Sequence, residues 1–361
     1  MNKNEDKELY GAVIRLSNHV VWIALFTVLM MVITITILLQ QPREKELGTE
    51  KNSYPISDSG PRNSTETSVT KVSKGIIPPF GWKSPDPNTI PKGKEGDMIR
   101  YGKALITSTA LYFGPQGSIA RLSNGMNCQN CHLDAGTRLF SNNFSAFVAS
   151  YPKKSARSGR VEEVSERIAE CFQRSLNGGI PDPGSKEVKA MLAYMTWVGK
   201  GVKKGQKVYG LSTQKLAFMD HAASPVLGKA VFVKKCQVCH GANGEGKLNP
   251  DKKSYLYPPL WGAHSYNDGA GMYRLSNFAG FVKNNMPYGT TYQNPQLTDE
   301  EAWNVAAFVN SQPRPHRDHR TDYPDLKQKP VDSPFGPYAD HFSEQQHRYG
   351  PFKPILKNYK I

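Results

Sequence analysis

Two copies of Cys-x-x-Cys-His constrain this chain more than any other feature. They are Cys128-Gln129-Asn130-Cys131-His132 and Cys236-Gln237-Val238-Cys239-His240. The motif is the attachment signature of c-type haem. Its two thiols add across the haem vinyl groups, and the adjacent histidine is held under the iron as proximal ligand. A single copy can arise by chance; two copies, each opening a similar helical pattern, argue against it. A zinc site built from both pairs fails, because the pairs lie 108 residues apart and each ends in His. Four of the five cysteines are thereby assigned to covalent haem, and Cys171 stands alone.

The residues around the motifs repeat. A helix-like run over 98–114 precedes the first motif, and one over 227–235 leads into the second. After each motif come irregular loops, one sulfur residue and a closing helix. Cys171 lies 39 residues after His132, and Met286 lies 46 after His240. The closing helices begin at Ser185, a plausible N-cap, and at Thr298, which forms a capping-box pattern with Glu301. The expected fold class is all-α, with two cytochrome c-like domains in tandem over residues 80–205 and 206–315.

Cys171 and Met286 occupy equivalent slots, which makes each the candidate sixth iron ligand of its domain. Met286 sits before Pro287, and Met–His ligation suits electron transfer; Met272 is the alternative there, with a core methionine as its plainer reading. For Cys171 the plainer reading is a buried, inert thiol. Its position in the repeat favours a ligand, as does the helix expected over 161–177. That helix places Arg167, Cys171 and Ser175 on one face, with Arg174 beside them. Fixed positive charge favours a thiolate.

Charge and hydropathy bound the remainder. The formal net charge is +15, and nearly all of it falls after residue 80. Such a field attracts anions. The chain carries no nucleic-acid reading module or basic motif, so nucleic acid is not expected as a partner. Residues 20–40 form an almost wholly apolar, uncharged stretch long enough to cross a bilayer. We read it as an uncleaved signal anchor, a removed signal peptide being the alternative. Residues 41–79 are a polar linker. Covalent haem attachment takes place outside the cytoplasm, so residues 1–19 are expected inside and the haem domains outside, in the periplasm of a Gram-negative cell. Residues 316–361 hold many aromatics and prolines and are expected to pack on the body as extended chain rather than hang free.

Taken together, the stretches MNCQNCHLDAGT, RIAECFQRSLNGG, SYNDGAGM, NNMPYG and VAAFVNSQPRP resemble the diheme thiosulfate dehydrogenases. Those cytochromes join two thiosulfates into tetrathionate, and some members run the reverse. The resemblance covers roughly residues 80–315. It implies two covalently bound haem c groups, with the cysteine after the first motif, here Cys171, as axial ligand of the active-site haem. It implies that Arg157, Arg167 and Ser175 line the substrate pocket, and that electrons pass through the second haem to an external redox partner in the periplasm or membrane. Some members carry a lysine before the ligating methionine; here the residue is Asn285, so fixed His240/Met286 ligation is expected. Two other functions fit the motifs: a membrane-tethered electron shuttle without its own substrate, and a diheme peroxidase. The peroxidase needs an open iron position, against which Cys171 argues.

Overall fold

A computed structural model describes residues 22, 25–27, 29–31 and 81–359. The segments expected as cytoplasmic tail, membrane anchor and linker lie outside the described residues, except for seven helical positions between 22 and 31. Among the described residues no helix is long and apolar enough to cross a membrane.

Residues 81–359 are built on two hydrophobic cores, one around each motif. The first core is enclosed by α1 (Lys94–Thr107), α2 (Val164–Arg174) and α3 (Lys186–Val198), with Leu105, Ile106, Phe172, Val188 and Tyr194 fully buried. The second is enclosed by α4 (Pro225–Lys235), α5 (Leu275–Asn285) and α6 (Asp299–Ser311) around Phe232, Leu275 and Trp303.

The same device sets the main helix crossing in each half. A Cβ on Gly102 would lie 1.9 Å from the Ala190 carbonyl oxygen, and one on Gly228 would lie 1.9 Å from that of Asn304. Only a residue without a side chain lets α1 meet α3, and α4 meet α6, at that distance. The tripeptide Gly-Lys-Ala begins at both glycines, so the internal repeat extends to the crossing itself.

Several caps follow the sequence pattern. Ser185 accepts from the Val188 amide at 3.2 Å. Thr298 accepts from the Glu301 amide at 3.0 Å, and the Glu301 carboxylate accepts from the Thr298 amide at 2.9 Å.

Other expectations are corrected. The helix expected over 161–177 spans only Val164–Arg174, with Glu163 in an extended conformation as N-cap. Val161–Glu162 instead forms β2, paired antiparallel with β1 (Lys153–Lys154). A second small hairpin joins β3 (Lys247–Leu248) to β4 (Tyr255–Tyr257), so the fold is helical with two minor two-stranded sheets. The run over 98–114 breaks at Ser108 into α1 and a short turn, Thr109–Phe113. The break sets Thr109, whose hydroxyl accepts from the Cys128 amide at 3.0 Å and lies 3.2 Å from Cys128 Sγ.

The C-terminal segment is not uniformly extended. Residues 312–343 run largely as irregular chain over the body and then form α7 (Glu344–Tyr349) and α8 (Phe352–Asn358). Phe352 and Ile355 enter the second core, and Phe352 packs on Phe218 and Trp303.

Candidate functional site

The first motif turns through a short 3-10 helix, Cys128–Asn130, stabilised by Asn130 Oδ1 accepting from the Asn127 amide. His132 follows. Its Nδ1 lies 2.5 Å from the Asn142 carbonyl oxygen and its ring packs on Phe144. With Nδ1–H donating to that carbonyl, Nε2 keeps its lone pair for a metal. Burial pushes the imidazolium of His132 down to about 4, against the pull of the Asn142 carbonyl, so the neutral, ligating form prevails at neutral pH. Burial also pushes the Cys128 and Cys131 thiols up to about 12.

Cys171 shares one cavity with these groups. Cys128, Cys131, His132, Cys171 and Ser175 line it together with apolar residues that include Met191 and Met195. Amphipathic α2 presents Cys171 inward while burying Ile168 and Phe172 in the core. Ser175, one turn on, closes the helix by donating its amide to the Cys171 carbonyl at 2.9 Å. Arg167, one turn back, is held by a short ion pair to Glu170. The neighbouring Cys171, followed by Glu170 and Tyr151, raises the guanidinium of Arg167 despite the opposing effect of burial.

The other two arginines are placed differently. Arg174 is buried and makes a two-pronged bond to Asp322, at 2.8 and 2.7 Å. Arg157 Nη1 donates to the Gly269 carbonyl at 3.3 Å, and its Nε is 3.9 Å from Asp322. Arg174 approaches the same Gly269 carbonyl at 3.4 Å. Arg167 is thus the arginine in electrostatic reach of Cys171, while Arg157 and Arg174 converge on Asp322 and the loop after Asn267.

The second motif ends α4 and forms a helical turn, Gln237–His240. His240 Nδ1 lies 2.8 Å from the Pro258 carbonyl, which again leaves Nε2 for a metal, and burial lowers its imidazolium. Met286 is the C-cap of α5. It lines a cavity of about 610 Å³ with Cys236, Cys239 and His240, and Met272 reaches the same cavity. Asn285 Nδ2 donates to the Phe281 carbonyl at 2.9 Å and across to the Phe140 carbonyl at 3.1 Å. Met126, Asn127 and Cys131 line both cavities, so the two sites adjoin.

Comparisons with known proteins give the chain a family. Residues 118–203 match the family model described as the SoxA/TsdA cytochrome c domain, and residues 225–313 match that of cytochrome c. The chain is 39% identical over 230 residues to a thiosulfate dehydrogenase of Allochromatium vinosum, covering 63% of this chain and 82% of that protein. The chain belongs to the thiosulfate dehydrogenase family. A second member, from Stutzerimonas stutzeri, is 33% identical over 245 residues, or 68% of this chain and 76% of that one. Among solved structures, a thiosulfate dehydrogenase (TsdBA) of Marichromatium purpuratum in its as-isolated form matches with a TM-score of 0.61 and 32% identity. That match covers 66% of this chain, which spans half the length of that structure's chain.

The donor sets fit the two haem c groups that this family membership implies. Each motif sets two thiols and an imidazole beside one cavity wall, and each cavity offers further sulfur side chains: Cys171, Met191 and Met195 in the first, Met272 and Met286 in the second, with Met126 in both. Three further residues of this thiosulfate dehydrogenase family member lie around the arginines of α2 and its neighbourhood without a local sequence signal, though none lines the Cys171 cavity. Tyr151 is almost fully buried beside Arg167 and Cys171, and burial raises its hydroxyl. Asp322 holds Arg174 from 148 residues away. Burial works to raise the Asp322 carboxyl, but the bonds from His319 and Arg174 hold it well below the usual range. Arg317 lies in the field of Arg174, Asp322, Glu170 and Arg157; burial, followed by Arg174, lowers its guanidinium.

Proposed function

We propose that this chain joins two thiosulfates into tetrathionate at the cavity that holds Cys171, and runs the reverse when electrons are supplied. Two thiosulfate dianions lose one electron each, and one bond forms between their terminal sulfurs. No proton is taken up or released. The observation that carries this reading is the grouping of Cys171, Ser175 and the first motif in one cavity beside Arg167, in a chain of the thiosulfate dehydrogenase family.

Bound haem supplies a one-electron acceptor at each motif, held through Cys128, Cys131 and His132 at the first and Cys236, Cys239 and His240 at the second. Cys171 and Met286 would be the side chains offered to the two irons. The task left to the protein is electrostatic. Two dianions 4 Å apart repel by about 4 kcal/mol even at the dielectric constant of water. Arg167, whose side chain is about one-third exposed, is open to an entering anion and offers charge-assisted bonds. Arg157, which in this structure faces Gly269 and Asp322, would add a second cation by turning toward the bound anion. Ser175 offers a hydroxyl from the cavity wall, and Tyr151 is buried beside Arg167. Electrons leave across the wall formed by Met126, Asn127 and Cys131 and then pass to an external redox partner.

Cys171→Gly tests the reading, with thiosulfate oxidation and tetrathionate reduction both assayed and the oxidised spectrum recorded. Loss of both activities with both haems still attached is expected. A variant fully active in both directions refutes the site and favours a shuttle without its own substrate.

We further assign residues 20–40 as a single-pass anchor in the cytoplasmic membrane, 1–19 as its inner tail and 41–79 as a linker. Residues 80–205 then form the catalytic domain, 206–315 the electron-transfer domain and 316–361 the covering tail, all outside the cytoplasm. The apolar stretch and the extracytoplasmic chemistry of haem attachment support this. Release of the protein from membranes by high salt alone would contradict it.

A further inference from the structure

Three side chains outside both cavities converge where the C-terminal segment crosses the loop after Asn267. The Asp268 carboxylate is nearly buried. Its Oδ2 lies 2.7 Å from His316 Nδ1, and its Oδ1 lies 2.9 Å from His319 Nε2. The three donor atoms all fall within 4.8 Å of one another. The two rings stand 5.5 Å apart at 75°, each presenting a different nitrogen to one oxygen of the same carboxylate.

The surroundings hold His319 in one orientation. Its ring stacks on Phe335 at 4.3 Å and 14°. Its second nitrogen, Nδ1, lies 3.8 Å from Asp322 Oδ2, and Asp322 is itself pinned by Arg174. Nε2 is within hydrogen-bond distance of Asp268, while Nδ1 faces the Asp322 carboxylate beyond that distance. A metal at Nε2 would take the place of a proton there and leave Nδ1–H directed toward Asp322, the side on which a carboxylate orients a ligating histidine. The Arg317 amide donates to Asp268 Oδ1 at 2.9 Å and fixes the carboxylate in turn. His316, mostly exposed at 72%, gives an ion an entry path and leaves its remaining positions to water.

We propose that Asp268, His316 and His319 bind one divalent transition-metal ion through a carboxylate oxygen, Nδ1 and Nε2 respectively. Two imidazoles and one carboxylate with open positions suit zinc or a neighbouring first-row ion rather than calcium or magnesium. The ion would tie the segment 316–322 to the loop after Asn267. That loop already holds α2: the Asn267 amide donates to the Arg174 carbonyl at 3.1 Å, and its Nδ2 donates to the Gln173 carbonyl at 2.8 Å. The metal would therefore brace the helix that carries Cys171 without entering the haem cavity.

The probe is ZnCl₂, titrated calorimetrically into chelator-treated diheme protein in buffer free of thiosulfate, with a thermal melt recorded alongside. Wild type is expected to bind one zinc ion and to melt higher with it. His316→Ala is the informative variant, because its side chain is exposed and its removal leaves the core intact. Loss of an outer-shell partner weakens metal sites by about 10–100-fold, so loss of this direct ligand should cost at least about 100-fold and abolish the melting shift. Zinc binding that is unchanged in His316→Ala overturns the proposal. So does a wild type that takes up no zinc.

Discussion

Asp332 offers the sharpest test of how the C-terminal segment holds the body together. Its side chain is almost fully buried, and both oxygens are occupied by donors. Oδ1 accepts from Arg274 Nε at 2.9 Å and Nη2 at 2.6 Å; Oδ2 accepts from the Ser276 amide at 3.0 Å and its hydroxyl at 2.5 Å. Ser276 lies in the first turn of α5, so Asp332 supplies the negative charge and the acceptor that this helix end requires. Removing the carboxylate by Asp332→Ala forfeits charge-assisted bonds of about 1.5–3 kcal/mol and a cap of about 1 kcal/mol. It also leaves Arg274 short of a partner, for a total of about 3–4 kcal/mol. At about 2–4 °C per kcal/mol, the melting temperature should fall by about 6–16 °C. Asp332→Asn should cost nearly as much, since every orientation of the amide turns its NH₂ toward a donor. Circular dichroism melts of the haem-loaded protein decide the matter. An Asp332→Asn variant that melts within 1–2 °C of wild type refutes the reasoning.

The pH dependence of the same group follows. Burial works to raise the Asp332 carboxyl, but Arg274 and Ser276 outweigh it and hold it below its ordinary value. A carboxyl depressed in the folded state stabilises the fold above its unfolded value of about 3.9 and loses that contribution as pH falls through the folded value. The gap between wild type and Asp332→Ala should therefore be constant from pH 5 to 7 and close only below about pH 4.

Three other substitutions probe separate parts of the argument. Gly228→Ala, which places a methyl group against the Asn304 carbonyl, should destabilise by at least the 1–3 kcal/mol typical of overpacking, measurable as a lower denaturant midpoint. Ile355→Ala removes a fully buried side chain of α8 from the second core; a loss of about 2–5 kcal/mol is expected, and a loss under 1 kcal/mol would mean the tail is only loosely docked. Arg167→Gln keeps the size of the side chain and deletes its charge. A charge-assisted bond of about 1.5–3 kcal/mol corresponds to a loss of about 10–150-fold in kcat/KM for thiosulfate, with both haems retained.

What the sequence made legible was local. The haem motifs, the caps at Ser185 and Thr298 and the place of Cys171 in the repeat depend on spacings within a turn or two, or on a pattern that occurs twice. The Gly-Lys-Ala tripeptide occurs at both 102 and 228, but only the structure shows that it marks the crossings that set the geometry of both halves. What stayed hidden was long-range charge pairing. Arg174 looked like a neighbour of Cys171, because helical spacing places both on α2. The structure turns its guanidinium to Asp322, and nothing within that helix could have announced a partner 148 residues away. The shortened start of α2 has a similar origin: Val161–Glu162 is claimed by pairing with Lys153–Lys154, so tertiary context overrides a favourable helical pattern.

These hidden pairings share one property: most originate in the C-terminal segment or the loop it covers. Asp322 holds α2 through Arg174, and Asp332 holds the start of α5 through Arg274. The first of these helices carries Cys171 and the second ends at Met286. Direct bonds between the halves include Asn124 Nδ2 donating to the Ser265 carbonyl at 2.9 Å, Asn285 Nδ2 to that of Phe140 at 3.1 Å, and the bonds from Asn267 to α2 already described. The C-terminal segment adds to them. The two cavities must keep a common wall at Met126, Asn127 and Cys131 if electrons are to cross between them. A segment that grips one helix from each half with buried carboxylates, and then anchors its own end in the second core through Phe352 and Ile355, fixes that wall. The tail is therefore expected to matter to the proposed electron transfer, although it lies far from both motifs in sequence.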